Sequence, residues 1–75
     1  MTYEDWIDTA AYEARMNADN VGAFGDAEDA AWSGFDNLRT MIAETAPMPD
    51  WQVQAIESAY ADAAAAAFGR DYLRG

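Results

Sequence analysis

Apolar residues recur along this chain at the three- and four-residue steps of a helix, and they do so in three separate runs. In the first, Tyr3, Trp6, Ile7, Ala10, Ala14 and Ala18 fall on one side, while Glu4, Asp5, Asp8 and Arg15 occupy the other. Thr2 followed three residues later by Asp5 reads as a capping signal, and the pattern breaks near Asn17 to Asn20, before Gly22 and Gly25. A second run opens at Gly25-Asp26, where Asp26 can cap and Asp29 can reach back. Its stripe is Ala27, Ala30, Ala31, Gly34, Phe35, Leu38, Met41 and Ile42, with Glu28, Asp29, Ser33, Asp36 and Thr40 outside it. Trp32 departs from this order: on a helical wheel it falls among Glu28, Asp29, Asp36 and Arg39, not with Phe35 and Leu38.

Ala46-Pro47-Met48-Pro49-Asp50 cannot continue the second helix, because two prolines remove backbone donors and force extended conformations on the residues before them. A compact turn is predicted there. Asp50, or Pro49 in the first turn, then starts a third helix with the stripe Val53, Ile56, Tyr60, Ala63, Ala64 and Ala67, and Gly69 is either its stop or a weak point through which the helix runs on into Asp71, Tyr72 and Leu73. No period-2 run of β-branched residues occurs, and the short Ala23-Phe24-Gly25 and Ala67-Phe68-Gly69 recurrence marks helix ends and no longer repeat. The predicted fold is all-α, a small three-helix bundle forming one domain over residues 1–75.

Composition narrows the chemistry. At 52% hydrophobic and 13% aromatic, the chain carries enough apolar material to fold despite its charge. It has no cysteine and no histidine, and all four of its basic residues are arginines. Thiolate and imidazole metal sites, a Ser-His-Asp relay, Schiff-base catalysis and a phosphate-binding lysine are therefore all excluded. Carboxylate-pair catalysis needs a cleft that raises one pKa, which three short helices rarely enclose, so the expectation is a protein that is not an enzyme and takes no cofactor. With no charged-then-apolar leader or long apolar run, a soluble cytoplasmic protein is expected, with no membrane partner.

Charge changes the picture most. The net charge is -10, and between Met1 and Asp36 nine acids (Glu4, Asp5, Asp8, Glu13, Asp19, Asp26, Glu28, Asp29, Asp36) face Arg15 alone. From Asn37 onward five acids face three arginines, so the two parts carry -8 and -2. Such self-repulsion on one side suggests a basic partner. Helical spacing separates Glu4 from Asp8 by about 6 Å and Asp29 from Asp36 by about 10 Å, comparable to phosphates along a nucleic-acid strand. The plainer alternative is a solvated face that keeps the chain soluble.

A tiny, acidic, cysteine-free helical chain with Glu4, Asp5, Asp8 and Asp26-Ala27-Glu28-Asp29 set around aromatics resembles the phage-borne nucleic-acid mimics, among them several anti-CRISPR proteins. The likeness lies in size, charge and helicity and in no shared motif. It implies a non-catalytic inhibitor that occupies the DNA- or RNA-binding surface of a host complex such as a CRISPR effector, without binding nucleic acid itself. The partner-binding set expected from the residues is Glu4, Asp5, Asp8, Asp26, Glu28, Asp29, Trp32 and Asp36, with Tyr12 and Met16 as further apolar contacts and Trp6 and Trp51 as structural residues. Two other readings stand beside it. One is a small acidic phage or mobile-element interaction module; on any reading the chain is expected to be a monomer or, through Ala59, Ala63 and Ala66, a weak dimer. The other is a weak calcium loop over 17–28, with Gly22 sixth and Glu28 twelfth but Asn17 and Val21 at ligand positions they serve poorly.

Overall fold

The computed structural model describes residues 2–45 and 47–74. Three helices follow in order: α1 (Tyr3–Asp19), α2 (Ala27–Ala43) and α3 (Asp50–Phe68), with a single 3₁₀ turn (Val21–Ala23) between the first two. There is no strand among the described residues, and the chain is an all-α three-helix bundle of 33 × 20 × 18 Å. No helix is long and apolar enough to cross a membrane.

Local chemistry sets the helix ends. The Thr2 hydroxyl accepts the Asp5 N–H (3.1 Å) and the Asp5 carboxylate accepts the Thr2 N–H (3.0 Å), a complete capping box that satisfies two donors at the start of α1. The Asp26 carboxylate accepts the Asp29 N–H at 2.8 Å, but Asp29 does not complete the reciprocal bond, so α2 has a one-sided cap. Pro49, extended at φ -60 and ψ 146, caps α3 without a side-chain bond, and Asp50 is its first helical residue. Gly69 ends α3 at φ +76, a left-handed conformation that a residue with a Cβ rarely adopts. Of the predicted turn at 46–50, Ala46 lies outside the described residues; Pro47 to Pro49 carry no regular structure.

Tyr3 packs its ring on Trp51 at 5.4 Å between centroids, and Asn17 bonds Tyr60, so α1 and α3 run in the same direction with α2 antiparallel between their edges. The core consists of Trp6, Ala10, Ala14, Leu38, Ile42, Ile56, Tyr60 and Ala64, with Tyr60, Leu38 and Ile56 the largest fully buried side chains. Burying each of these three contributes about 1.5–3 kcal/mol relative to leaving it exposed. Alanines line the rest of the interface, which brings the helix backbones close together. The predicted stripes of α1 and α2 are the ones buried or half-buried, but α3 is rotated slightly: Ala61 is buried where it was not expected, and Ala67 is exposed. Beyond Gly69 the chain turns back, and Leu73 packs onto the core rim.

Candidate interaction surface

The surface acids are built on helix starts. Glu4 and Asp5 occupy the first turn of α1, and Glu28 and Asp29 the first turn of α2, where the positive end of the helix dipole favours them. Glu4, Asp5, Asp8, Asp26, Glu28, Asp29 and Asp36 are all exposed. Two of them also serve the fold: Asp26 caps α2, and Asp5 closes the capping box, where the Thr2 N–H and hydroxyl hold its carboxyl below the usual aspartate value.

Their arrangement is two groups, not one patch. Gly34 faces Asn17 across the α1–α2 contact, which sets the register of the antiparallel pair. Counting from that level, Asp8 stands about 13 Å toward one end of the bundle and Asp29 about 7 Å toward the other, at 1.5 Å per residue. Glu4, Asp5 and Asp8 therefore lie beside the C-terminal end of α2, and Asp26, Glu28 and Asp29 beyond the last turn of α1, with Asp36 between them in height. The carboxylates are spread along the long axis of the molecule.

Compensation is unequal in the same sense as the sequence count. Arg39 pairs with Glu57 (3.6 Å), and Arg74 with Asp62 (2.8 Å) and Asp71 (2.8 Å). The two carboxylates raise the Arg74 pKa above its ordinary value by hydrogen bonding. Arg70 lies over the Tyr72 ring at 5.4 Å. Among the described residues, no carboxylate from Glu4 to Asp36 takes part in an ion pair.

Trp32 is exposed on α2, outside the buried stripe, and touches that stripe at one residue. Its ring meets Phe35 edge-on at 5.9 Å, and Phe35 in turn packs on Tyr60 of α3 and carries the Arg39 guanidinium at 5.8 Å. Trp32 thus leans to the α3 side of α2, away from the α1 carboxylates, and is 40% exposed. Trp6 is buried as expected; Trp51, in the first turn of α3, is 61% exposed and packs against the ring of Tyr3. Tyr12 (54% exposed) and Met16 (39%) stand on the outer face of α1. Of the residues expected for dimerisation, Ala59 and Ala63 pack against the core of their own chain and Ala66 is exposed.

The 17–28 segment is not an open loop. Asn17 and Asp19 belong to α1, the Asn17 amide donates to the Tyr60 hydroxyl (3.3 Å), and the Asn20 amide donates to the Met16 carbonyl (2.7 Å), capping the helix end. The first two candidate calcium positions are thereby committed to helix, and no group of three or more carboxylates converges on a metal-sized site among the described residues. Asn17 is also the residue whose role was hardest to anticipate: with Tyr60, which donates on to the Ala31 carbonyl (2.9 Å), it forms a polar node tying all three helices together. The only sequence signal for it is that Asn17 continues the three-four spacing of Ala10 and Ala14. Also unforeseen is an open groove of about 380 Å³ between α2, the proline turn and α3, floored by Ile42, Met48 and Val53 with the Arg39–Glu57 pair at its edge.

No protein-family model, curated protein or solved structure matches this chain.

Proposed function

We propose that the chain is a non-catalytic inhibitor that docks on a basic nucleic-acid-binding surface of another protein in the cytoplasm and keeps the nucleic acid off it, as the phage-borne mimics it resembles do. The observation that carries this reading is the uncompensated acid: nine carboxylates from Glu4 to Asp36 without an ion pair among the described residues, while Glu57, Asp62 and Asp71 are paired. A chain acidic only for solubility has no reason to divide its arginines this way. Exposed carboxylates distributed along a 33 Å rod suit an extended row of cations, such as a nucleic-acid channel presents.

The test is competition. A labelled DNA duplex bound to each of a panel of nucleic-acid-binding complexes, CRISPR effectors included, is titrated with the chain and followed by anisotropy. Displacement should weaken steeply between low and physiological salt, since exposed charge pairs are screened over about 8 Å at 0.15 M. Charge reversal at Asp36→Lys should weaken it further without lowering the melting temperature, and Asp29→Lys should weaken it too, with some loss of stability because Asp29 sits at the positive end of α2. Displacement that ignores both salt and charge reversal would refute the electrostatic reading and favour an interaction module whose acidity serves solubility.

A further inference from the structure

We infer that the outer face of α1 is a docking seam for a basic amphipathic helix of the partner. The inference rests on the proposed function and specifies which element of the basic surface is gripped.

α1 carries two seams with the same spacing. Tyr3, Ile7, Ala10, Ala14 and Asn17, in steps of four and three, face the bundle with Trp6 alongside. Asp5, Thr9, Tyr12, Met16 and Asp19 repeat those steps, shifted round the helix to the side that α2 and α3 leave open. Alternating steps of four and three are the spacing by which one helix packs along another. The outer seam has an apolar middle, Tyr12 and Met16 one turn apart, and carboxylates at both ends. Glu4 and Asp8 add negative charge along one edge, where Arg15 is the single cation.

An occupant with apolar side chains at its own middle and Lys or Arg at its ends and edges meets every feature of this face. A purely ionic groove would leave Tyr12 and Met16 uncovered. From Asp5 to Asp19 the seam runs about 21 Å, the length of roughly four helical turns.

The test uses a labelled 18-residue peptide with Leu at heptad a and d positions and Lys and Arg elsewhere, and a second peptide of the same composition scrambled so that no seam forms. At 150 mM NaCl the amphipathic peptide should bind at least tenfold more tightly than the scrambled one. The amide shifts it causes should centre on Asp5 to Asp19. Tyr12→Ala with Met16→Ala should lose at least tenfold in affinity at an unchanged melting temperature, because both residues are exposed and alanine is the better helix former. Trp32→Ala should bind as the parent does.

Equal binding of the two peptides, full affinity in the Tyr12/Met16 variant, or shifts centred on α2 would each overturn the seam. The assay contains no nucleic acid, so its outcome is separate from that of the competition experiment. Displacement of DNA that survives loss of Tyr12 and Met16 leaves mimicry standing and removes the seam.

Discussion

Gly34→Ala is the substitution whose sign separates packing from propensity. Gly34 sits inside α2, and on propensity alone alanine would stabilise the helix by about 0.5–1 kcal/mol. In this structure a Cβ at that position overlaps the Asn17 side-chain amide and the Tyr60 hydroxyl. Asn17 is half-buried at the end of a flexible side chain and can swing out, giving up one hydrogen bond worth about 1 kcal/mol. Tyr60 has no such freedom: it is fully buried, its ring lies against Phe35 at 5.8 Å, and its hydroxyl is fixed to the Ala31 carbonyl at 2.9 Å. Forcing a packed side chain aside costs about 1–3 kcal/mol. Subtracting the propensity gain leaves a net loss of about 1–3 kcal/mol, and for a domain of this size each kcal/mol lowers Tm by about 4–8 °C. Thermal unfolding followed by far-UV circular dichroism should therefore show Gly34→Ala melting about 5–20 °C below the parent. Tyr60→Phe removes the oxygen the new methyl meets, so in the Tyr60→Phe background the same substitution should cost markedly less. A Gly34→Ala variant that melts at or above the parent temperature would refute the close approach of the three helices.

Further outcomes follow from the same contacts. Burial in the core, with the Glu13 charge adding to it and the Asn17 bond opposing it, raises the Tyr60 pKa above the ordinary tyrosine value. The folded state then holds this proton more tightly than the unfolded one, so the contribution is fully present below about pH 10 and is lost as pH rises through the folded value. Urea titrations at pH 8 and above 10 should show that loss in the parent and a smaller one in Tyr60→Phe. Thr2→Ala breaks the capping box and should cost about 0.5–2 kcal/mol, read from the urea midpoint. Leu73→Ala uncovers the groove bordered by Phe35 and Ala61 and should lower stability by about 1–2 kcal/mol, less than a full core truncation because Leu73 is only half-buried. Raising NaCl from 10 to 300 mM should raise Tm, since like charges along α1 and α2 repel without counterparts; a falling Tm would contradict the unpaired carboxylates.

What the sequence reveals and what it hides divide along the distance over which residues act. Thr2 with Asp5, Asp26 before Ala27 and Gly69 after Phe68 act on backbone groups within three or four residues, so the helix ends are legible from neighbours alone. The stripes of α1 and α2 are legible because large apolar residues mark them. In α3 the alanine run from Ala63 to Ala67 gives every face the same side chain, and the exact rotation, burying Ala61 and exposing Ala67, is decided by tertiary contact. The Asn17–Tyr60 bond joins residues 43 apart, and nothing local announces it. Trp32 is legible only in part. A helical wheel places its Cβ among carboxylates, whereas its ring extends sideways to Phe35. Of the expected contact set, exposure of the seven acids was legible; their separation to two ends of the bundle depends on the antiparallel turn of α2 and the level at which Gly34 meets Asn17.

The unpaired carboxylates act on folding and on binding with opposite signs. Within the free chain they repel one another, so added salt, which screens repulsion, favours the folded state. Against a cationic surface the same groups attract, and added salt weakens the complex. A chain made acidic only for solubility shows the first effect and has no reason to show the second. The arginines bear on this choice. Three of the four lie at or after Arg39, where they tie α2 to α3 and the C-terminal turn to α3, or cover a tyrosine ring. Moving even one of them opposite Asp8 or Asp29 would relieve repulsion at no evident cost to the core, which contains no buried charge among the described residues. The α2–α3 side thus pairs Glu57, Asp62 and Asp71 within the chain and is left at -2, whereas the part from Met1 to Asp36 is left at -8; on the proposed function, a cationic surface supplies the missing countercharge.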